Sequence, residues 1–324
     1  MDNDVMESDS AEPNILDSDS AEPNAMGETM TDIFANLPKD KVHYNEPMKN
    51  HTTFKIGGPC RALFYPTNSK ELAECIALCQ ITVTPYYLLG KGSNVLVSDA
   101  GYPGVIIKTD HLNQITDQGD GVFFAGAGQD LATMSDYFMT QGYTGFEFAC
   151  GIPGSFGGAI YMNAGAYGPE IKDVVTEVCV LKDNQIVTYT NAQMQFGYRT
   201  SVIKNTNQVI LGAKLQLQKA DPADVQATIA DLTERRESKQ PLAYPSAGSV
   251  FKRPTGDFAG RLIQESGLVG YTIGGAQISE KHAGFIINRG DATAADVLAL
   301  IAHVQQTVKA KFDVMLEREL IVLS

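Results

Sequence analysis

A glycine-rich run between Cys150 and Gly168 is the feature that most limits what this chain can fold into. It reads CGIPGSFGGAIYMNAGAYG and holds six glycines in nineteen residues. Glycine has no Cβ and tolerates positive φ, so such a run lets backbone N–H groups approach an anion as closely as a diphosphate requires. An ordinary surface turn needs only one or two glycines. The run therefore predicts a loop that binds a dinucleotide.

A second glycine loop, LGKGSNVL from Leu89 to Leu96, supports this interpretation. Apolar residues precede and follow it, so the pattern predicts a strand, a glycine turn and a second strand. The spacing around Lys91 does not match a P-loop, which needs four residues between its first glycine and the Gly-Lys pair. The segment Gly126-Ala-Gly128 begins like a Rossmann fingerprint, but Leu131 stands where the third glycine belongs. A fold of another kind must therefore bind the dinucleotide.

Eight sequence blocks follow one another in a fixed order between residues 52 and 320. They are TTFKIGG, LGKGSNVL, AGAGQDL, CGIPGSFGGAIYMNAGAYG, FGYR, AGSVFKRP, GGAQISEKHAGFIIN and LEREL. In this order they resemble the UDP-N-acetylenolpyruvoylglucosamine reductase (MurB) family, from about residue 50 to the C-terminus. The chain is similar to the shorter branch of that family, because little sequence separates FGYR from the region that follows it.

The resemblance implies a fold, a cofactor and a reaction. The fold would be α+β, with a FAD-binding domain of the vanillyl-alcohol oxidase (PCMH) type followed by a smaller α+β substrate-binding domain. FAD would be bound noncovalently, NADPH would be the electron donor and a UDP-sugar the small-molecule substrate. The reaction would reduce UDP-N-acetylglucosamine enolpyruvate to UDP-N-acetylmuramate, a cytoplasmic step of peptidoglycan precursor synthesis. Both substrates would use one cleft in turn.

Local patterns divide the chain into three parts. Residues 1–32 contain SDSAEPN twice, within an imperfect ten-residue duplication, and no Lys or Arg, which predicts a disordered acidic tail. Residues 33–219 alternate short apolar runs with helical stretches and are predicted to form the FAD-binding domain. Asp221 and Pro222 form an N-cap followed by a proline at N1, so residues 220–324 are predicted to form the substrate-binding domain.

Hydrophobic periodicity predicts the main elements. Strands are expected at residues 105–108, 122–125, 174–181, 185–189, 209–216 and 285–288. Helices are expected behind Ser69 as N-cap, around residues 131–138, after Asp221, and after the capping box of Thr293 and Asp296. Cys75 and Cys79 share the apolar face of the first helix, so we expect them in the core.

Composition excludes several classes of protein. The net charge of −13 argues against nucleic acid or an anionic membrane as partner, because phosphates are bound by clustered Lys and Arg. No apolar run approaches about twenty residues, so no membrane span is predicted. Five scattered cysteines indicate reduced thiols in a cytoplasm, and no Cys or His cluster has the spacing of a metal site. No obligate protein partner is evident.

The family reaction requires the protein to stabilise a negative charge and to supply a proton. Hydride addition to the vinyl group builds negative charge next to a carboxylate, and the neighbouring carbon must then be protonated. Carried over by motif, Ser249 of AGSVFKRP is the proton donor, while Arg199 of FGYR and Glu319 of LEREL polarise the carboxylate. Alternatively, Ser249 is a turn hydroxyl and Arg199 pairs with a surface carboxylate. Glu317 would share a strand face with Glu319, so spacing alone leaves that choice open and only the motif favours Glu319.

Further candidates are binding residues. Those for FAD lie in the two glycine loops: Gly90, Lys91, Gly92, Ser93, Asn94, Gly151, Ile152, Pro153, Gly154, Ser155, Gly157, Gly158, Asn163, Ala164, Gly165 and Ala166. Those for the UDP-sugar are Tyr198, Lys252, Gln277, Lys281 and His282. Each lysine could instead be a solvated surface charge, and His282 could be a core histidine.

Two other functions remain open at this point. One is a FAD-linked oxidase of the same fold, against which the AGSVFKRP and LEREL blocks argue. The other is a flavoprotein that binds a sugar nucleotide without turnover, against which the intact Ser249, Arg199 and Glu319 argue.

Overall fold

The computed structural model describes Phe34 and residues 37–324, and the predicted disordered tail, residues 1–32, lies outside the described residues. Within this part the α-helices are α1 (Ser69–Ile81), α2 (Leu131–Thr140), α3 (Phe156–Met162), α4 (Pro222–Lys239), α5 (Ala259–Glu265) and α6 (Ala294–Phe312). Short 3-10 helices lie at Lys39–Lys41, Met48–Asn50, Glu147–Ala149, Ile171–Asp173 and Ala192–Met194.

The strands, in chain order, are β1 (Val42–Pro47), β2 (Pro59–Phe64), β3 (Tyr86–Leu89), β4 (Val95–Val97), β5 (Tyr102–Lys108), β6 (Ile115–Asp117), β7 (Val122–Gly126), β8 (Tyr143–Thr144), β9 (Val175–Lys182), β10 (Gln185–Thr190), β11 (Val209–Gln216), β12 (Gln218–Lys219), β13 (Ser246–Ser249), β14 (Thr272–Ile273), β15 (Ala276–Ile278), β16 (Phe285–Asn288) and β17 (Ile321–Leu323). The six strands expected from the sequence correspond to β5, β7, β9, β10, β11 and β16, so these predictions are confirmed.

Helix boundaries follow their capping residues, with one correction. The caps predicted at Asp221 for α4 and at Thr293 for α6 are confirmed, and Thr293 and Asp296 form a complete capping box. The N-cap of α1 is Asn68 and not Ser69, because the Asn68 side chain accepts a hydrogen bond from the backbone N–H of Glu71. Asn and Ser are both good N-cap residues, so composition alone did not separate two neighbouring positions.

Two sheets form the first part of the fold. β1, β2, β5 and β3 make a four-stranded sheet in which β3 and β2 both run parallel to β5. β10, β9, β11, β7 and β6 make a five-stranded antiparallel sheet. The predicted core cysteines of α1, Cys75 and Cys79, are fully buried in an apolar cluster that also contains Leu211 of the second sheet. This cluster therefore joins the two sheets.

The third sheet, β13-β16-β15-β14, packs with α5 and α6 in the C-terminal part of the chain. Its core also takes in Phe54, Ile56 and Leu96 from the N-terminal part, and β17 returns to pair in parallel with β4. Helix α4 packs against α2 and β8. The division of the chain at residues 219 and 220 stays a prediction. No helix among the described residues has the length and apolar character needed to cross a membrane.

Candidate active site at the junction of two cavities

Two large cavities share part of their lining and so meet. The first, of about 810 Å³, is lined by the two glycine loops and is called the glycine-lined cavity. The second, of about 860 Å³, is lined by α4, α5 and the residues around His282, and is called the basic cavity. Arg199, Ser249 and Glu319 line both of them. The three candidate catalytic residues therefore lie where the cavities join.

The loop of residues 90–94, between β3 and β4, presents free amides to the glycine-lined cavity. In the described part of the chain, none of its five backbone N–H groups donates a hydrogen bond to a protein acceptor. A Cβ on Gly90 would lie 2.0 Å from Oγ of Ser155, so only glycine lets the two glycine loops approach this closely. Successive free N–H groups form a concave site for an anion. This arrangement fits a diphosphate.

Lys108 holds this loop from behind. Its Nζ donates to the carbonyl of Gly90 at 2.5 Å and lies 3.2 Å from Oδ2 of Asp110. The ammonium is almost completely buried, and this desolvation lowers the pKa of Lys108, while Asp110 opposes the shift. Sequence analysis did not identify Lys108 as a site residue, because a lysine at the end of an apolar strand is usually a surface residue.

The same loop is tied to the C-terminal segment. Nδ2 of Asn94 donates to the carbonyl of Glu319 at 3.3 Å, and the N–H of Ile321 donates to the carbonyl of Asn94 at 3.0 Å. The position of Glu319 thus depends on the glycine loop that lines the neighbouring cavity.

Arg199 occupies a strained position in a tight turn. The turn is bridged between Gly197 and Thr200, and the φ of Arg199 is +55°. Nε of Arg199 donates to Oε1 of Glu319 at 3.0 Å, and its guanidinium carbon lies 4.9 Å from the centre of the Tyr198 ring. A residue held at positive φ is uncommon and is often found at functional sites. The ion pair leaves the other guanidinium nitrogens at the cavity junction.

Burial separates the two acids that the sequence left open. The side chain of Glu319 is 14% exposed and pairs with Arg199, whereas that of Glu317 is 71% exposed and pairs with Lys252. Desolvation raises the pKa of Glu319, and the nearby charge of Arg199 opposes that rise. The geometry therefore places Glu319, and not Glu317, at the cavity junction.

A β-bulge directs Ser249 toward the junction. Ser246 pairs with Ile287 and Ser249 pairs with Phe285, so β13 has one residue more than β16 over this stretch. Gly248 supplies the left-handed conformation that the extra residue needs, with φ +73°. The Ser249 hydroxyl has no hydrogen-bond partner among the described residues, so it is free to reach a bound molecule.

Comparison with known proteins finds a family match in the N-terminal part of the chain and another in the C-terminal part. Residues 60–189 match the FAD binding domain family, and residues 240–323 match the C-terminal domain of UDP-N-acetylenolpyruvoylglucosamine reductase. The reductase of Clostridium perfringens strain 13 is 48% identical over 282 residues, which cover 87% of this chain and 92% of that protein. The chain belongs to the UDP-N-acetylenolpyruvoylglucosamine reductase family. The resemblance of the eight blocks is thereby confirmed.

Other members agree with this assignment. The reductase of Geobacillus kaustophilus is 50% identical over 276 residues, covering 85% of this chain and 90% of that protein. The crystal structure of the reductase from Thermus caldophilus superposes with a TM-score of 0.75 at 33% identity, covering 88% of this chain and 98% of that one. The α+β fold with a FAD-binding domain of the vanillyl-alcohol oxidase type is confirmed.

Most of the FAD-binding candidates line the glycine-lined cavity. They are Gly90, Lys91, Gly92, Ser93, Asn94, Ile152, Pro153, Gly154, Ser155, Gly157, Gly158, Ala164 and Gly165. Gly151 and Ala166 line the basic cavity instead. Asn163 lines neither: its side chain is fully buried and its amide is hydrogen-bonded to Glu170, Gly197 and Lys172. The assignment of Asn163 as a FAD-binding residue therefore stays a prediction, and its buried, fully hydrogen-bonded side chain does not favour it.

The substrate candidates divide in the same way. Tyr198, Lys281 and His282 line the basic cavity. Lys252 and Gln277 are not among the residues that line either cavity; Lys252 pairs with Glu317, and Gln277 hydrogen-bonds to the carbonyl of Gly270 and to Thr272.

His282 has the character of a partly buried neutral ring. Its Nδ1 accepts a hydrogen bond from the N–H of Gly284 at 3.1 Å, and burial lowers its pKa. Both features favour the uncharged imidazole, so His282 contributes shape and hydrogen bonding to the basic cavity rather than charge.

Sequence reasoning missed most of the charge in the basic cavity. Its lining includes five further cationic side chains: Arg235, Arg236, Lys239, Arg253 and Arg261. Three of them lie in the last turns of α4, where the run RRESK was the available signal. The acids on the same lining are Glu265, Glu280 and Glu319, so cations are in excess. In the part of the chain that the structure describes, no group of three or more His, Cys, Asp or Glu is arranged to hold a metal.

Proposed function

We propose that this protein reduces UDP-N-acetylglucosamine enolpyruvate to UDP-N-acetylmuramate with noncovalently bound FAD, and that NADPH supplies the electrons. The observation that carries the proposal is the family membership, at 48–50% identity over most of the chain, together with Arg199, Ser249 and Glu319 at one cavity junction. The proposed place of action is the cytoplasm, in peptidoglycan precursor synthesis, on which cell shape and division depend.

The residues of the glycine-lined cavity fit FAD. The free amides of residues 90–94 would hold the diphosphate, and Ile152–Ser155 with Ala164 and Gly165 would surround the flavin ring. When bound, FAD supplies hydride transfer between NADPH and the enolpyruvyl group. Lys108 keeps the loop in place through the carbonyl of Gly90. We propose that residues 33–219 form the domain that binds this cofactor and residues 220–324 the domain that binds the UDP-sugar.

Arg199 and Glu319 would act together on the substrate carboxylate. The guanidinium is held through its Nε by Glu319 and through Nη2 by the carbonyl of Gly165, which leaves Nη1 and the second N–H of Nη2 to bind a carboxylate. Binding there stabilises the negative charge that develops next to the carboxylate during hydride addition. The raised pKa of Glu319 lowers the electrostatic penalty of bringing a second carboxylate close to it.

Ser249 would donate the proton. Its hydroxyl lies at the junction and has no other partner among the described residues, so a substrate carbon at the junction is within its reach. A serine hydroxyl is a weak acid, and the neighbouring cation of Arg199 favours the alkoxide that forms when the proton leaves.

The basic cavity would hold the phosphates of both substrates in turn. Its cations suit a diphosphate, which is present in the UDP-sugar and in NADPH alike. Since both substrates would reach the junction through the basic cavity, they would bind one after the other, as in a ping-pong sequence.

Anaerobic stopped-flow absorbance of the holoenzyme tests the proposal. NADPH should bleach the flavin, and UDP-N-acetylglucosamine enolpyruvate should then recolour it with formation of UDP-N-acetylmuramate. A substrate that binds but never recolours the flavin would favour the sugar-nucleotide-binding flavoprotein without turnover. Recolouring only by oxygen, with an alcohol or sugar as reductant in place of NADPH, would favour the oxidase.

A further inference from the structure

The turn that carries Arg199 is held from both sides by side chains that lie outside the cavities. Nδ2 of Asn163 donates to the carbonyl of Gly197 at 3.0 Å, and Nζ of Lys204 donates to the carbonyl of Arg199 at 3.2 Å. The positive φ of Arg199 is intrinsically unfavourable, and such a conformation persists only where surrounding contacts enforce it. These two bonds are contacts of that kind.

Asn163 lies next to the wall of the glycine-lined cavity without lining it. It ends α3 in the left-handed conformation, with φ +43°, and its side chain is 0% exposed. Besides Gly197, its Nδ2 donates to Glu170 at 3.0 Å, and its Oδ1 accepts from the N–H of Lys172 at 3.0 Å. Both donors and the acceptor of the amide are therefore used, and rotating the side chain would leave buried polar groups without partners.

Asn163 thus connects two pieces of the junction. The residues next to it, Ala164 and Gly165, line the glycine-lined cavity, and Nη2 of Arg199 reaches the carbonyl of Gly165 at 3.4 Å. A shift of the turn relative to this wall would move the guanidinium relative to anything bound in the glycine-lined cavity.

Lys204 acts on the other end of the turn. It lies five residues beyond Arg199, and its ammonium donates to the backbone carbonyl of that residue. The charges of Lys252, Glu317 and Glu319 lie close enough to influence the pKa of Lys204. Its bond fixes the backbone of Arg199 itself.

We propose that Asn163 and Lys204 are positioning residues for Arg199, and that they hold its guanidinium in register with the cofactor and with the substrate carboxylate. The inference rests on the proposed function, because it names the half-reaction that they serve. They would matter for reoxidation of the flavin by the enolpyruvyl substrate, where Arg199 acts, and not for reduction of the flavin by NADPH.

The test compares Asn163→Gly and Lys204→Met with wild type. Glycine tolerates the left-handed conformation at residue 163, so the end of α3 is preserved. FAD content and the reduction rate should stay within about twofold, while the reoxidation rate should fall about tenfold to a hundredfold, the scale of a misplacement of about 1 Å. Asn191→Ala is the matched control: Nδ2 of Asn191 also donates to two backbone carbonyls, of Lys172 and Val175, but none in the turn. It should leave both rates unchanged.

A double-mutant cycle separates positioning from general damage. In an Arg199→Ala background, neither Asn163→Gly nor Lys204→Met should slow reoxidation further, since the group that they position is gone. The lactyl carboxylate of UDP-N-acetylmuramate would contact Arg199. Calorimetry of its binding to the holoenzyme should therefore show weaker binding in each single variant and no further loss of affinity in the Arg199→Ala background.

Several outcomes would overturn the proposal. They are equal slowing of both half-reactions, additive losses in the Arg199→Ala background, or wild-type reoxidation in both variants. If Asn163→Gly yields no folded holoenzyme, Lys204→Met decides by the same criteria. A wild-type enzyme that never reoxidises with the enolpyruvyl substrate would instead contradict the proposed function, and the binding cycle would still test the positioning.

Discussion

At the residue scale, Glu317 and Glu319 show how two identical side chains acquire different chemistry. Glu317 is mostly exposed and pairs with Lys252, whereas Glu319 is buried against Arg199 at the cavity junction. A surface ion pair contributes little, because water screens it. A buried carboxylate next to a guanidinium both orients that cation and is itself strongly affected by burial.

The two acids provide a matched pair of variants. Glu319→Gln should slow flavin reoxidation by the enolpyruvyl substrate about tenfold or more, because the neutral amide orients Arg199 less firmly. Glu317→Gln should stay within about twofold of wild type, since a screened surface pair is worth about 0–1 kcal/mol. Single-turnover absorbance measures both. A larger loss for Glu317→Gln would reverse the assignment of the acid.

Burial of Glu319 also predicts a pH dependence of stability. The pKa of Glu319 is raised above its ordinary value of 4.5, so between that pH and the folded pKa the folded protein holds a proton that the unfolded chain has released. The contribution of Glu319 is therefore fully present below pH 4.5 and is lost as the pH rises through the folded pKa. Compared with wild type, Glu319→Gln should become relatively more stable over that window. Urea unfolding at a series of pH values measures the difference, and a constant difference would contradict the raised pKa.

Ser249→Ala tests the proton donor. Reduction of the flavin by NADPH should be unchanged, whereas reoxidation by the enolpyruvyl substrate should slow by about 10²–10⁴-fold, the usual contribution of a positioned acid. Ser249→Cys, which keeps a proton at the same place, should recover part of the rate. Normal reoxidation in Ser249→Ala would exclude Ser249 as the donor.

At the element scale, the bulge in β13 is what brings Ser249 to the junction. In a regularly paired strand, successive side chains lie on opposite faces of the sheet. Because the bulge adds one residue to β13, it changes the face on which Ser249 lies. Gly248 makes this possible because its φ of +73° is unfavourable for any residue with a Cβ.

Gly248→Ala should therefore affect function and stability, and Gly256→Ala should affect stability alone. The two glycines have φ values of +73° and +77°, and a Cβ on either would meet nothing within 4 Å. Each variant should lose about 1–2 kcal/mol of unfolding free energy, the strain of a left-handed L-residue. Only Gly248→Ala should also slow reoxidation, since Gly248 lines both cavities and Gly256 lines neither. Equal kinetics in the two variants would contradict a role for the bulge in aiming Ser249.

At the scale of the whole molecule, the last strand joins the C-terminal segment to the glycine-loop region near β4. β17 pairs in parallel with β4, the strand that directly follows the loop of residues 90–94. The N–H of Ser98 also donates to the carbonyl of Leu323. The C-terminal segment that carries Glu319 is thereby fastened to the loop proposed to hold the FAD diphosphate.

Deleting residues 321–324 should release both the loop and Glu319. The purified protein should retain less FAD and melt at a lower temperature, because β4 loses its pairing partner and the amides of residues 90–94 lose their support. Deleting Ser324 alone is the control, since this exposed residue lies beyond β17. Flavin absorbance per chain and thermal unfolding measure the effects. Full FAD retention without β17 would show that the loop is stable by itself.

The sequence by itself determined the local structure and the chemical class of this protein. Periodicity predicted six strands, caps predicted the starts of α4 and α6, and the two glycine loops predicted a dinucleotide, because backbone conformation and exposed amides are local properties. The order of the eight blocks identified the family.

Only the tertiary structure decided which side chains meet and in what environment. Asn163 stands in a glycine-rich block yet lines neither cavity, and Lys108 gave no local signal. The run RRESK shows that the end of α4 is cationic but not which cavity these cations line. Spacing could not choose between Glu317 and Glu319. Packing made that choice, because burial and the distance to Arg199 depend on segments that are far apart in the chain.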